Sequence, residues 1–264
     1  MIAMSHLSQD DNRPLRVARH RLALTTPDDG PPRFFDSGSS WAYFLREIRH
    51  HARYFPNRRA LEELRECCEL CTVPLKRGEH LFRSRILPPR ESENMPLPTY
   101  SPAEMGAPPP PLAVGNRLNP PGIPYLYLAA DPETALAEAR PWKGSYVSVG
   151  RFELLEDLLV YDFSIGPAGF LGRRLSEEFA TPSHPSSPHD YAPSQFVAEV
   201  FKSVSRGAVA GLRYRSAMRS GGVNVALFGG DARVFPQQVA CTAVELWLVQ
   251  DVSVHAAVVP TPSP

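Results

Sequence analysis

Three side chains in the middle of the chain have types and spacing that suit the binding of a charged ligand. Arg117 lies in a loop rich in Gly and Pro, Tyr127 follows in an aromatic and aliphatic run, and Glu138 lies in a helical pattern. The helix neighbours of Glu138 one turn earlier are Thr134 and Ala135, so its surroundings are small. Taken alone, each of the three has an ordinary explanation as a solvated or packed side chain. Their combination indicates a site.

Two other stretches add polar side chains of the same kind. Arg83 and Arg85 alternate in a strand-like run at residues 80–86, which puts both on one face. A guanidinium pairs well with two phosphate oxygens, so these arginines suit an anion, although solvated arginines on an edge strand explain the pattern equally well. Ser216 follows a strand predicted at residues 211–215. Because it lacks the G-x-S-x-G nucleophile elbow, we expect it to form hydrogen bonds and not to act as a nucleophile.

The indication of a metal site is weaker. Cys68, Cys71 and His80 are possible ligands, but a fourth ligand at a suitable spacing is missing, and the cysteines fall on an apolar helical stripe. Buried thiols that behave as small hydrophobic groups explain them better. We expect His184 and His189 to be solvated loop residues. The sequence therefore predicts no metal.

A loop, a strand and a helix that follow one another directly must position the central residues. The loop at residues 115–124 contains two Gly and three Pro, so its backbone is bent and stiff. In the strand at residues 125–129, alternation turns Tyr127 away from the leucines, which we expect to form the core face. The helix begins after Asp131, a favourable N-cap, and must end near Pro141.

The remaining pattern predicts a mixed α+β fold, with mainly antiparallel strands in two small sheets that enclose a cleft, flanking helices and an N-terminal helical hairpin. The residues show no internal repeat, P-loop or Rossmann fingerprint. Further helices are predicted from Ser39 or Ser40 to about Tyr54, over a stripe of Leu61, Leu64, Cys68 and Cys71, and at residues 170–180 and 195–205. Further strands are predicted at residues 146–152, 158–163, 223–228 and 239–249. A Pro-rich stretch, residues 87–114, is predicted to be a surface excursion.

Composition limits the class of protein. The net charge is zero, with 28 basic and 28 acidic residues, which argues against a general nucleic-acid binder or a polybasic membrane protein. No apolar run is long enough to span a bilayer, and the first residues lack an apolar signal core. The four cysteines do not form a disulfide framework, so we expect a reduced, cytoplasmic protein. The pattern divides the chain into a flexible segment at residues 1–34, a helical extension at 35–75, a main domain at 76–252 and a flexible tail at 253–264.

Three blocks of the sequence, in the same order, resemble the RES domain family, which is named for its Arg, Glu and Ser. The blocks read LFRSRI, then GNRLNPPGIPYLYLA with DPETALAEARP, then YRSAMRSGGVNVALF. The likeness covers about residues 78–250. By motif, the residues that the resemblance implies are catalytic Arg83, Glu138 and Ser216, and substrate-binding Arg85, Arg117 and Tyr127.

The resemblance implies a catalytic domain that degrades NAD. Known RES proteins include bacterial toxins that degrade NAD by glycohydrolysis or phosphorolysis, and many are paired with an antitoxin that carries a DNA-binding domain. Their fold is similar to that of ADP-ribosyltransferases such as diphtheria toxin. NAD is then a substrate, with water or inorganic phosphate as the second substrate, and no cofactor is expected. No membrane association and no direct nucleic-acid binding are expected.

The chemistry suits these residue types. Arg83 and Arg117 supply cations for the pyrophosphate, and Tyr127 supplies a flat ring that can stack on nicotinamide. Cleavage of the nicotinamide–ribose bond develops positive charge on the sugar, which the fixed carboxylate of Glu138 can stabilise. Ser216 can bind the nicotinamide amide or a phosphate oxygen.

The chain departs from the compact toxins in its N-terminal helical extension and its Pro-rich insertion. The resemblance therefore supports the NAD site better than it supports a toxin role. Two alternatives stay open at this point. One is an ADP-ribosyltransferase that modifies a macromolecule, and the other is a non-catalytic module that binds NAD.

Overall fold

The computed structural model describes residues 33–69, 71–89, 97–166, 169–182, 188–229 and 238–253. Within these ranges the helices are α1 (Gly38–His50), α2 (Arg58–Glu69), α3 (Pro132–Ala139), α4 (Gly169–Ala180) and α5 (Ala192–Ser205). The strands are β1 (Thr72–Leu75), β2 (His80–Ile86), β3 (Tyr125–Ala129), β4 (Tyr146–Leu154), β5 (Leu158–Asp162), β6 (Gly211–Arg215), β7 (Val223–Phe228) and β8 (Val239–Leu248). The predicted α+β class is confirmed.

The strands form one sheet in the order β1-β5-β6-β7-β3-β2-β4-β8. Neighbours are antiparallel except for β5 and β6, which are parallel. The sequence predicted two small sheets, and the single sheet corrects this. Its two halves are joined weakly, however, because β2 and β3 share only the residue pair Phe82–Ala129, whereas β2 pairs with β4 along its whole length. The two strands therefore part and leave a fork.

Both faces of the sheet are covered by apolar groups. On one face, residues of α1, α2, α4 and α5 share one apolar cluster with residues of the sheet, including Tyr125. On the other face a second cluster includes Leu126, Leu128 and Met105. We expected the leucines of β3 to mark the core face. Leu126 and Leu128 are buried as expected, and Tyr127 lies half-buried on the opposite face. Tyr125 on that opposite face is 2% exposed, however, so both faces of β3 are buried.

The bounds of the N-terminal helices differ from the predicted ones. Helix α1 is capped by Ser37, whose hydroxyl accepts from the backbone N–H of Ser40, and it ends at His50, before the predicted end at Tyr54. Cys71 lies beyond α2 and leads into β1, which the sequence did not predict. The strand contains Pro74, which argues against a strand in a sequence pattern. It lies at the sheet edge, where a strand tolerates proline.

The Pro-rich stretch at 87–114 is not a simple surface excursion. Its residues 90–96 lie outside the described ranges, but Met105 is fully buried against Gly150 of β4. The backbone N–H of Tyr100 also donates to Ser148 Oγ at 3.2 Å. The second half of the stretch therefore covers the sheet beside β2 and β4.

Several predictions concern residues that the structure does not describe. The segments predicted to be flexible, 1–34 and 253–264, lie outside the described ranges except for residues 33, 34 and 253, and so does His184. The boundary between the helical extension and the main domain stays a prediction. In the described part of the chain, no helix combines the length and apolar character needed to cross a membrane.

Leu64→Ala tests whether the N-terminal helix α2 shares the core of the sheet. Leu64 of α2 is fully buried in the cluster that contains α4, α5 and Tyr125, so its truncation should lower the free energy of unfolding by about 2–5 kcal/mol. Urea unfolding followed by circular dichroism measures this change. Leu112→Ala is the matched control, because Leu112 is 69% exposed and should lose almost nothing. A variant in which only α1 and α2 unfold, in a separate early transition, would contradict the shared core.

Candidate active site

A cavity of about 420 Å³ lies in the fork between β2 and β3, with α3 along its wall. Four of the six residues predicted for the site line this cavity: Arg83, Arg117, Tyr127 and Glu138. Ser216 and Arg85 are not among the lining residues. The structure thus brings together side chains from β2, the 115–124 loop, β3 and α3.

Glu138 is held in place by two hydrogen bonds to one carboxylate oxygen. Its Oε1 accepts from Ser216 Oγ at 2.7 Å and from Asn224 Nδ2 at 2.6 Å. Among the described residues, both bonds to this carboxylate end on Oε1. The second oxygen, Oε2, therefore keeps its capacity to accept a hydrogen bond or to face a positive charge in the cavity.

Helix α3 presents Glu138 because both of its ends are fixed. Asp131 caps the N-terminus as predicted, with Oδ1 accepting from the Thr134 backbone N–H at 2.8 Å. The helix ends at Arg140, whose left-handed conformation (φ 52°) precedes Pro141. A proline cannot continue a helix, so Glu138 stays in the last turn.

Ser216 lies behind Glu138 and not in the cavity wall. Its hydroxyl donates to Glu138 and accepts from the backbone N–H groups of Met218 and Arg219, each at 3.0 Å. These two bonds fix the direction of the hydroxyl. Ser216 was expected to form hydrogen bonds, and the structure shows that its hydroxyl donates to the carboxylate of Glu138.

The loop that carries Ser216 is pressed against the start of α3. Arg219 Nη1 donates to Asp131 Oδ1 at 3.2 Å and to Thr134 Oγ1 at 3.1 Å. A Cβ atom at Gly222 would lie 2.7 Å from Thr134 Oγ1, so this close approach requires glycine. The loop and the helix thus form one support for the Glu138–Ser216 pair.

The two arginines of β2 converge on one backbone oxygen. Arg83 Nη1 and Arg85 Nη2 donate to the carbonyl of Gly106 at 2.9 Å and 3.0 Å, as side chains on one strand face can. Burial lowers the pKa of Arg83 to about 10, and the nearby charge of Arg85 acts in the same direction, so Arg83 is still charged at neutral pH. The Arg85 guanidinium lies 5.6 Å from the centre of the Tyr100 ring, outside the cavity lining.

Arg117 is buried, with 6% of its surface exposed. Its Nη1 donates to the carbonyls of Phe179 and Thr181 at 2.7 Å and 2.6 Å, and its guanidinium lies 5.7 Å from the centre of the Tyr191 ring. Arginines are favourable partners for the free carbonyls at a helix C-terminus. Arg117 therefore fastens its loop to the end of α4 while it lines the cavity.

The ring of Tyr127 is fixed by its hydroxyl. This hydroxyl donates to Asn119 Oδ1 at 2.7 Å and accepts from the Leu118 backbone N–H at 3.0 Å. Asn119 in turn donates to carbonyls of its own loop, including that of Ile123 at 2.9 Å. Burial raises the pKa of Tyr127 well above its ordinary value, so the phenol stays neutral.

Sequence reasoning missed part of the site. Among the residues it did not single out are Asn119, Arg140, Tyr191, Tyr214 and Asn224. Asn224 carried a usable signal, because asparagine is uncommon in β-strands and this one lies inside β7. For Tyr214 no signal was available, since tyrosines pack in most cores. Tyr191 lies in a loop rich in polar residues and proline, and such loops often carry site residues.

The cysteines have partners that fit buried thiols. Cys68 Sγ donates to the Leu64 carbonyl at 3.3 Å, and Cys71 Sγ donates to the Cys67 carbonyl at 3.2 Å. Burial raises the pKa of the Cys68 thiol above its ordinary value. Within the described ranges, no group of three or more His, Cys, Asp or Glu side chains is arranged to hold a metal ion.

Comparison with protein families gives one match. The model of the RES domain matches residues 85–249, which is more than half of the 264-residue chain. Of the predicted site residues, Arg83 falls just before the matched range and the others fall inside it. No curated protein matches the chain.

Tyr127→Phe tests whether the hydroxyl network supports the cavity wall. The change removes the partner of the Leu118 N–H and of Asn119 Oδ1, so we expect the free energy of unfolding to fall by about 1–3 kcal/mol. Urea unfolding measures the loss. Tyr54→Phe serves as the control, since Tyr54 is 79% exposed. Equal stability of both variants would show that the network contributes nothing to the fold.

Proposed function

The chain belongs to the RES domain family, and on this premise we propose that it is an enzyme that cleaves NAD at the bond between nicotinamide and ribose. The acceptor is water or inorganic phosphate. The observation that carries the proposal is the Glu138 carboxylate, fixed through Oε1 by Ser216 and Asn224, in a cavity that also contains Arg83 and Arg117. A volume of about 420 Å³ is typical of a small-molecule site.

A single carboxylate is enough for this reaction. When the C1′–N bond breaks, its electron pair goes to the nicotinamide nitrogen, and the positively charged ring leaves as a neutral molecule. No general acid is needed, unlike the departure of an alcohol from a glycoside. Glu138 is the one carboxylate among the described residues that line the cavity.

The proposed role of Glu138 is electrostatic. As the ring departs, the ribose acquires positive charge, and a carboxylate held beforehand needs little reorganisation to stabilise it. Oε2 faces this charge or binds a ribose hydroxyl. The oxygen of water or phosphate then bonds to C1′, and water releases its proton to solvent. Ser216 and Asn224 keep the carboxylate in position throughout.

The other predicted residues have supporting roles in the proposal. Tyr127 offers its fixed ring for stacking on nicotinamide. Arg83 and Arg117 make the cavity positive, which favours a substrate that carries a pyrophosphate. Arg85 lies outside the lining, so we propose that it contributes through its charge and through its bond to Gly106.

Only the resemblance to known RES proteins supports a particular biological role for this chain. A toxin role, a partner antitoxin, a cytoplasmic location and an ADP-ribosyltransferase-like fold stay predictions. By the same resemblance, the helical N-terminal extension and the Pro-rich stretch at residues 87–114 distinguish this chain from the compact toxins.

Glu138→Gln tests the proposed function. The change keeps the shape of the side chain and removes its charge, so nicotinamide release from NAD should fall by at least about 100-fold. Chromatography of released nicotinamide, with and without phosphate, measures the rate. Glu133→Gln is the matched control, because Glu133 is exposed on the same helix and outside the cavity lining.

The outcomes of this experiment separate the candidate activities. Full turnover by Glu138→Gln would contradict the mechanism. A requirement for phosphate would indicate phosphorolysis, and its absence hydrolysis. Transfer of label from adenine-labelled NAD to a macromolecule would indicate an ADP-ribosyltransferase, and binding of NAD without any release would indicate a non-catalytic module.

Ser216→Ala separates a positioning role from direct substrate binding. Because the Ser216 hydroxyl contacts Glu138 and is not part of the cavity lining, its loss should lower kcat by about tenfold and leave KM within about twofold. Steady-state kinetics with NAD measures both constants. Ser216→Thr keeps a hydroxyl and should recover most of kcat. A raised KM with unchanged kcat would instead indicate that Ser216 binds the substrate.

A further inference from the structure

Arg140 is a cavity residue to which the family motif gives no role. It follows Glu138 by two positions, is exposed, and lines the cavity in the fork between β2 and β3. With Arg83 and Arg117 it makes three guanidinium groups around the single carboxylate of Glu138. The cavity therefore has an excess of positive charge, and Arg140 is its most exposed source.

The three arginines differ in what their guanidinium groups bind. Arg117 is buried and Arg83 is half-buried, and both donate to backbone carbonyls, which ties them to the fold. Arg140 Nε instead lies 2.9 Å from the thioether sulfur of Met218, which is a weak acceptor. No salt bridge within the described residues involves Arg140.

The Met218 contact leaves the ligand-binding edge of Arg140 available. A guanidinium carries five N–H donors in a planar fork, and its two Nη groups can bind two phosphate oxygens at once. A thioether beside Nε orients this fork without neutralising its charge. The backbone of Met218 is also held in place, since its N–H donates to Ser216 Oγ at 3.0 Å.

The backbone fixes the direction in which Arg140 leaves the helix. Its φ and ψ are both 52°, and its N–H donates to the Ala137 carbonyl at 3.1 Å. Pro141 follows and stops the helix. The direction of the Arg140 Cα–Cβ bond relative to Glu138 is therefore fixed, and the side chain lines the same cavity.

We propose that Arg140 binds the pyrophosphate of the dinucleotide substrate. This inference rests on the proposed function and adds to it a residue for substrate binding. In NAD the pyrophosphate is attached to the ribose whose C1′ bond breaks, so negative charge lies close to the sugar that Glu138 contacts. Arg140 is the exposed cation closest in sequence to Glu138. Arg83 and Arg117, which line the same cavity, add to its positive potential.

Binding of ADP and adenosine by isothermal calorimetry tests the proposal without any need for turnover. Arg140→Ala should bind ADP about tenfold or more weakly, because a charge-assisted hydrogen-bond pair is lost, and should bind adenosine as the unchanged protein does. Arg140→Lys should recover part of the ADP affinity, since it keeps the charge but not the fork. Arg65→Ala is the matched control, which removes the same charge from an exposed position on α2.

Each other outcome overturns the proposal. If ADP binds equally well to Arg140→Ala and to the unchanged protein, or binds to neither, Arg140 is not a pyrophosphate ligand. Equal weakening of ADP in Arg65→Ala would show a general charge effect, and equal weakening of adenosine would place Arg140 on the nucleoside. Failure of the proposed function is seen separately, as ADP binding that depends on Arg140 without nicotinamide release from NAD.

Kinetics gives a second readout where turnover is present. Arg140→Ala should raise KM for NAD by about tenfold and leave kcat within about twofold, because the contact is made in both the ground state and the transition state. A fall in kcat with unchanged KM would show that Arg140 acts on the reacting bond and would overturn the binding role.

Discussion

The parting of β2 and β3 after one residue pair is the constraint on which the site depends. Strands that lie side by side in a sheet normally exchange hydrogen bonds along their length, and here only Phe82 and Ala129 are paired. The fork creates a cavity in the middle of an otherwise continuous sheet, and α3 lies against β2 at its wall. Because α3 follows β3 directly, Glu138 on α3 lies beside the point where β3 parts from β2. The geometry of the carboxylate is then completed from the other side, by Ser216 after β6 and Asn224 on β7.

An opened sheet leaves polar groups that must find partners, and the loops of this protein supply them. Buried polar groups without hydrogen bonds are costly, so a cavity lined by arginines requires a dense set of acceptors. The Gly106 carbonyl accepts from Arg83 and Arg85, and the carbonyls at the end of α4 accept from Arg117. Proline-rich segments suit this task because their backbones are stiff and, since proline has no N–H, fewer of their carbonyls accept internal hydrogen bonds. The stretch at residues 97–114 therefore belongs to the support of the site.

Local patterns allowed most of the elements to be predicted, and they failed where partners are distant in sequence. Strand β3, the Asp131 cap and helix α3 followed from alternation, capping chemistry and Pro141, all of which act within a few residues. The family motif named Glu138 and Ser216 but not the bond between them, which joins residues far apart in the chain. The same limit explains Arg117, which looks like a surface residue in its loop and is buried only because α4 ends beside it. No local pattern indicates that Met105 is buried, since its partner Gly150 lies on another strand.

The charge arrangement of the cavity suits the reaction that we propose. NAD brings a positive nicotinamide ring and a negative pyrophosphate, and cleavage moves the positive charge from the ring to the ribose. A cavity with several arginines favours the pyrophosphate and disfavours the charged ring, so it favours departure of the ring as a neutral molecule. The same arginines would oppose charge on the ribose unless a carboxylate lay closer to it than they do. Two of the arginines have guanidinium donors committed to backbone carbonyls, whereas both hydrogen bonds to Glu138 end on Oε1 and leave Oε2 for the cavity. In the proposed reaction, the rigid support of one carboxylate is thus what would let a positive site stabilise a positive transition state.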